Sequence, residues 1–287
     1  MQQVALVTDS TAGLPPQLAE ELGIITVPSS FAFAEERMLD GSLPWDSVYE
    51  RMAASGIAPR SFGVAETAFR TAFEAGLERF GAVFCLVTPF DVNPSFTTAC
   101  AAMLAIQFDQ PEARIKVANA GVGSAGLGAL MISLAEMAVA GASTDDLVTA
   151  LDELEPQCDS LFVPESVDWL ERAGRLPAIE ERLGAVEESV PILRIGTRIT
   201  GVALAPDGQA AERQAVETVG KRAGGRALHV LVLHAHADGR AKDLADAVQH
   251  QWPVARIEVA DLPATHGSNL GPGAVGIGVC PSARQGD

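Results

Sequence analysis

Basic residues are scarce in this chain: 20 Lys and Arg stand against 37 Asp and Glu over 287 residues, a formal net charge of −17. A surface that acidic repels phosphodiester backbones and anionic lipid surfaces, so nucleic acid partners and membrane insertion are not expected. Cysteine is sparse as well. Cys85, Cys100, Cys158 and Cys280 are scattered with no C-x-x-C pair, which argues against a metal site or disulfide framework and fits small thiols in a reducing cytoplasm. Apolar runs are broken by charges well short of about 18 residues, so no membrane-spanning helix is expected. The start, Met1-Gln2-Gln3, leads straight into a strand without a basic region or cleavage pattern, and no signal peptide is expected. Also missing are the phosphate loop G-x-x-x-x-G-K-[ST], the zinc signature H-E-x-x-H and the nucleophile elbow G-x-S-x-G. A Ser–His pair assembled in space stays open.

What is present is a core: 48% of the residues are hydrophobic, with aromatics only 5%. The length suits two domains. The run Val4-Ala5-Leu6-Val7 ends abruptly in Thr8-Asp9-Ser10-Thr11, a buried strand delivering hydroxyls and a carboxylate to a loop. A short helix from Leu14-Pro15-Pro16 to Gly23 crosses to a second strand, Ile24–Val27. Strands at 82–87 and 115–118 alternate with helices at 95–108 and 123–140, which predicts a parallel sheet covered on both faces. Three strand ends, at Thr8–Thr11, Thr88–Pro94 and Asn119–Ser124, then share one edge, where ligands of open α/β sheets bind.

The second half reads as α+β. A strand at 160–163, a helix at 166–172 and an antiparallel pair at 191–195 and 201–205 are expected, followed by the turn Pro206-Asp207-Gly208. Helices at 213–223 and 237–251 flank a strand at 227–233, and strands at 256–259 and 275–279 close the unit. The expected domains are an N-terminal α/β domain, residues 1–155, and a C-terminal α+β domain, residues 156–281. A frayed tail is expected over Pro281 to Asp287.

Two motifs invite chemistry. Gly121-Val122-Gly123-Ser124-Ala125-Gly126 fits G-x-G-x-x-G between a strand and a helix. The second strand that a dinucleotide site needs is replaced by Gly141–Asp145, so close helix packing explains these glycines better. His234-Ala235-His236 places two imidazoles on one strand face, but no third ligand is set by spacing and ordinary strand-end histidines are expected. The segment Thr265–Gly276, with four glycines and one proline, reads as a sharply turning loop that exposes amides. Its His266, Ser268 and Asn269 can hydrogen-bond an anionic head group.

Several segments in order resemble the DegV family of bacterial fatty-acid-binding proteins. They are Val7–Thr11 with Leu14-Pro15, Ser124–Gly128, Leu170-Glu171-Arg172-Ala173-Gly174-Arg175-Leu176, Leu183-Gly184 before Pro191–Leu193, and Gly271-Pro272-Gly273-Ala274-Val275-Gly276. The resemblance runs nearly end to end. It implies an N-terminal parallel-sheet α/β domain, a C-terminal α+β domain and one long-chain fatty acid between them. It implies no chemistry by the chain itself and no cofactor. It also brings in a fatty acid kinase as partner, since some members present the acyl carboxylate to one. A few aromatics and many aliphatics suit a methylene-lined channel, where burial is worth about 0.8 kcal/mol per methylene.

The ligand-binding residues then expected are Arg60, Ser61, Asn93, His266, Asn269, Asp9 and Ser10, with no catalytic residue. The head-group positions depart from the family pattern. Arg60 stands where the family has Thr, Asn93 replaces a carboxylate-binding Ser, and the final-loop His spacing falls on Asn269, with His266 three residues earlier. Arg60 could clamp a carboxylate or phosphate bidentately. Alternatively it pairs with Asp91 or Asp9 and closes the pocket mouth. An enzyme for a small anionic substrate, with His266 as base and Arg60 as clamp, and a degenerate interaction module stay open beside the lipid reading.

Overall fold

The computed structural model describes residues 3–89, 91–186 and 188–283. The first apolar run forms β1 (Ala5–Asp9), which leads through α1 (Pro16–Glu21) to β2 (Ile24–Val27). Next come β3 (Ser30–Phe33), β4 (Glu36–Leu39), α2 (Trp45–Ser55) and β5 (Arg60–Gly63). The first half continues with α3 (Glu66–Phe80), β6 (Ala82–Val87), α4 (Ser95–Asp109), β7 (Arg114–Asn119), α5 (Ala125–Val139) and α6 (Thr144–Leu154).

As predicted, β2-β1-β6-β7 is a parallel sheet with both faces covered. Alternation along the strands splits the core. Ala5, Val7, Val83 and Cys85 face Phe69 and Phe73 of α3 and Ala99 and Ile106 of α4, while Leu6, Phe84 and Leu86 share a second cluster with Leu127 and Leu130 of α5. A three-stranded antiparallel sheet, β4-β3-β5, inserts between β2 and α3. Nothing in the sequence reading anticipated it.

The second half holds β8 (Asp159–Val163), α7 (Asp168–Arg172), α8 (Leu176–Leu183), β9 (Val190–Ile195), β10 (Ile199–Ala205) and α9 (Gly208–Val219). It ends with β11 (Leu228–His234), α10 (Asp238–Gln251), β12 (Val254–Asp261), α11 (Ala264–Leu270) and β13 (Val275–Pro281). Its mixed sheet runs β10-β9-β8-β13-β11-β12, with the expected antiparallel β9–β10 pair and one parallel pair, β11–β12. The chain is thus a parallel-sheet α/β lobe joined to an α+β lobe. The expected frayed tail begins too early: Pro281 ends β13, and Ser282 is buried with its N–H on the Ala227 carbonyl at 2.8 Å. Residues 284–287 of that tail lie outside the described residues.

α5 joins the two lobes. Twelve of its 15 residues are buried, so it is a core helix apolar all round rather than a surface helix with one apolar stripe. It packs on β13, β11 and β8 and also on β1. The glycines of the G-x-G-x-x-G motif serve that packing. A Cβ on Gly126 would meet Val122 and Ser160, and one on Gly123 would press on Ile195.

Candidate functional site

At the end of β1 the Asp9 carboxylate is fully buried and fully occupied. Its Oδ1 accepts from the Thr11 N–H at 3.0 Å and from the Thr11 hydroxyl, and its Oδ2 accepts from the Thr88 N–H at 3.0 Å. Burial outweighs these bonds and raises the Asp9 carboxyl above its ordinary range. Ser10 belongs to a second network. Its hydroxyl donates to Asp40 Oδ2 at 2.7 Å and accepts from the Ser29 N–H at 2.9 Å. Asp40 also accepts from the Thr265 hydroxyl at 2.7 Å and the Thr265 N–H at 3.3 Å, reaching across to α11 of the other lobe. Burial, offset by these bonds and reinforced by the Asp9 charge, pushes the Asp40 carboxyl up to about 6.

The predicted loop at 265–276 is a helix over its first part, a correction to the sequence reading. α11 carries two helix-weak features, Gly267 and the polar residues Thr265, Ser268 and Asn269 around it, and forms because partners elsewhere hold it. Asp40 takes the Thr265 N–H near its start. Gly267 lies against the Tyr49 ring, where a Cβ has no room, and the Tyr49 hydroxyl donates to the Leu262 carbonyl just before the helix. Gly271, at φ +79°, turns the chain out of the helix beneath Trp169. Every residue of α11 is buried, His266 included. Both nitrogens of that imidazole are buried without a hydrogen-bond partner among the described residues. Burial, with the Arg175 charge beside it, pushes His266 down to about 4, so the ring is neutral at physiological pH.

A cavity lies at each end of α11. Beside its N-terminal end is a cleft of about 500 Å³ whose walls include Leu14, Thr26, Asp40, Trp45, Asp261 and Pro263. Beside its C-terminal end is a recess of about 250 Å³ with Arg60, Ser61, Arg172, Arg175, Ser268 and Asn269 in its walls. Arg175 Nε donates to Asn269 Oδ1 at 2.9 Å, Arg172 donates to the Gly56 carbonyl, and the Arg60 guanidinium rests 5.3 Å from the Phe62 ring centre.

The structure therefore brings Arg60, Ser61 and Asn269 to one recess, with His266 one turn earlier on the same helix. Asn93 is not among the walls of the recess; it lies against Gly63 of β5, where its Oδ1 accepts from the Ser95 N–H at 2.9 Å and the Ser95 hydroxyl at 2.6 Å. Asp9 and Ser10 are not in the recess; Ser10 braces the other end of α11 through Asp40, and Asp9 ties the end of β1 to Thr88. The pairing of Arg60 with Asp9 or Asp91 does not occur, because Thr11 and Thr88 hold Asp9 and Arg198 takes Asp91 at 3.3 Å. His234 and His236 diverge. The strand ends at buried His234, and at φ +56° the chain turns exposed His236 to Asp46 on α2, 2.7 Å away. Among the described residues no group of three or more His, Cys, Asp or Glu could hold a metal ion, and no helix is long and apolar enough to cross a membrane. Sequence reasoning missed Arg172, Arg175, Asp40 and Thr265 as site residues. The two arginines stood in a quoted motif, while Asp40 carried no local signal.

A family model described as "Uncharacterised protein, DegV family" matches residues 3–282. A DegV domain-containing protein of Streptomyces coelicolor is 28% identical over 284 residues, covering 96% of this chain and 98% of the relative. Protein DegV of Bacillus subtilis is 24% identical over 287 residues, covering 96% and 99%. Among solved structures, a DegV family protein from Thermus thermophilus described as fatty acid binding superposes with a TM-score of 0.86 at 23% identity, over 97% of this chain and 99% of that one. A stearic-acid-binding protein from Eubacterium ventriosum superposes at 0.87 with 19% identity, over 98% and 99%. These likenesses establish the fold.

Proposed function

The chain belongs to the DegV family, and we propose that it holds one long-chain fatty acid between its lobes, with the head group at the C-terminal end of α11. The observation that carries this reading is His266. A fully buried imidazole whose nitrogens meet no partner leaves the protein short of a hydrogen bond, a cost of about 1–3 kcal/mol that a carboxylic head group would relieve. A neutral ring donates one N–H, and a carboxylate accepts it. Arg60, Ser61 and Asn269 supply the remaining donors. Ser10 frames the site through Asp40 and Thr265, and Asp9 fixes the end of β1 from which Ser10 follows. The acyl chain lies along the aliphatic cluster that both lobes share, which runs from Leu14 and Phe31 through α5 to Leu233 and Leu270. The related proteins described as fatty acid binders support this assignment.

In this reading the chain is not an enzyme. A base held at about 4 accepts protons poorly at neutral pH, which disfavours the alternative with His266 as general base. The acyl carboxylate is presented instead to a fatty acid kinase. The proposed domains are residues 1–155 and 156–281, and the four free thiols support a cytoplasmic location. Solvent extraction of the purified protein followed by mass spectrometry tests the core of the reading. A long-chain fatty acid is expected; no acyl species, together with no uptake of added palmitate, overturns it.

A further inference from the structure

The first and last strands of the C-terminal lobe bring two thiols face to face. β8 and β13 pair antiparallel, in a register that runs from Val275 opposite Val163 to Val279 opposite Asp159. One step further along the same ladder stand Cys280 and Cys158. The backbone of Cys158 is extended, with φ −77° and ψ 154°, so it prolongs β8 by one residue. Directly opposed residues of an antiparallel pair have Cα atoms about 4.5–5.5 Å apart, inside the range of about 4.4–6.8 Å that disulfides use. Both side chains also leave the sheet on one face, since both belong to the cluster packed around α5. There the Ser133 hydroxyl of α5 donates to Cys280 Sγ at 3.4 Å, and the two thiols are within hydrogen-bond reach of each other.

All four cysteines are free thiols, and only this pair shares a strand ladder; Cys85 is on β6 and Cys100 on α4. Cys158 and Cys280 are buried, yet Cys158 lines a small recess of about 160 Å³ whose walls also include Gly121, Glu155, Asp159, Arg194 and Arg222. At about 30 Å³ for each water the recess admits a few molecules of that size, and hydrogen peroxide is little larger. Burial, then the neighbouring Cys280 thiol, pushes the Cys158 thiol well above its ordinary range, so its attack on an oxidant is slow.

We propose that Cys158 and Cys280 form an oxidation site, at which a hydroperoxide converts the thiol pair into a disulfide that ties the first strand of the C-terminal lobe to its last. In the first step Cys158 Sγ, as the thiolate, attacks one peroxide oxygen. The O–O bond breaks, and the leaving hydroxide takes up the thiol proton as water, with Cys158 left as a sulfenic acid. Cys280 Sγ then displaces the hydroxyl group: the S–S bond forms, the S–O bond breaks, and the Cys280 proton leaves with hydroxide as a second water. Two electrons pass from the sulfurs to the peroxide oxygens, and a thiol reductant reverses the change. The bridge closes a loop of more than about 100 residues, nearly the whole C-terminal lobe, and restrains the unfolded chain accordingly. A slow first step suits a pair that answers sustained oxidation and not one that scavenges peroxide.

The test incubates the reduced full chain with hydrogen peroxide in native buffer, unfolds it in an alkylating agent and digests it without reduction. One cross-linked peptide, joining Cys158 to Cys280, should dominate in mass spectrometry, with no bridge to Cys85 or Cys100. The bridge should raise the melting temperature by several degrees, and dithiothreitol should return it to the parent value. Cys280→Ser gives a second reading: its hydroxyl cannot resolve the sulfenic acid, so Cys158 of that variant should take up dimedone added with the denaturant. Recovery of Cys158 and Cys280 both alkylated, while Cys100 is oxidised, overturns the proposal. So does a mixture of pairings like the one formed by chain oxidised in denaturant, because the bridge then arises from unfolded protein.

Discussion

The two ends of α11 are built in opposite ways. At the N-terminal end the Asp40 carboxylate is fully engaged: it takes Ser10, the Thr265 hydroxyl and the Thr265 N–H, and Ser10 in turn takes the Ser29 N–H. At the C-terminal end three arginines have no carboxylate, and the nitrogens of His266 have no partner among the described residues. Native interiors leave few buried polar groups unsatisfied. In the proposed reading the closed network is a strut, and the open one meets the ligand's head group. The family resemblance alone placed Asp9, Ser10, Arg60 and His266 in a single class of binding residue. Hydrogen-bond accounting separates them.

The largest effect should come from the closed network at the end of β1, next to the strut. Asp9→Ala leaves the N–H groups of Thr11 and Thr88 buried without an acceptor, at a cost of about 3 kcal/mol in denaturant unfolding. Palmitate affinity of the folded fraction should hardly change. A loss below about 1 kcal/mol, or a collapse of affinity without a loss of stability, would break the division between the two ends.

Acid should expose the division next. Asp40, at about 6 in place of its ordinary 3.8, contributes stability that is complete below 3.8 and lost as pH rises through 6. His266, at about 4 in place of 6.5, contributes stability that is present above 6.5 and lost as pH falls toward 4. The two oppose each other over nearly the same window, and each amounts to roughly 3 kcal/mol by the 1.36 kcal/mol that a tenfold change in proton affinity represents. Asp9, also raised, acts in the sense of Asp40 in every variant and drops out of the difference. Relative to the parent, Asp40→Asn should lose stability between pH 6 and pH 4 and His266→Leu should gain it. Parallel pH profiles for the two variants would contradict the assignment.

Much of this layout was legible in the sequence, and the failures share a cause. Val4–Val7 and Ala82–Val87 read as strands because burial on both faces demands an unbroken apolar run. α5 read as a helix because its apolar stretch outlasts any strand. The sheet β4-β3-β5 left no such trace: its strands have four residues each, and Ala32 finds Arg37 on one side and Arg60 on the other only after a long excursion through α2. α11 reads as a loop because Gly267 and its polar neighbours are poor helix formers. The residues that overrule them, Tyr49 and Asp40, lie more than about 200 positions away, as the 225-residue span from Asp40 to Thr265 shows. Asp9 could not be told from a ligand group for the same reason, since Thr88 is 79 residues on. Arg172 and Arg175 were visible in their motif, but only the fold puts them opposite Arg60.

The smallest effect is the most discriminating, because it separates stability from binding in one residue. If His266 keeps its imidazole for a ligand, the empty protein bears an unsatisfied buried group for no structural return. Replacing the ring by an apolar side chain of similar bulk removes that burden, so His266→Leu should hold or slightly raise the melting temperature of delipidated protein at neutral pH. The same variant loses one donor to the head group and should bind palmitate about tenfold more weakly, the worth of one hydrogen bond near 1.4 kcal/mol. A structural histidine predicts the reverse, with a lowered melting temperature and an unchanged affinity. Asp40→Asn supplies the contrast, because a group that closes a strut should move the melt and leave the affinity in place.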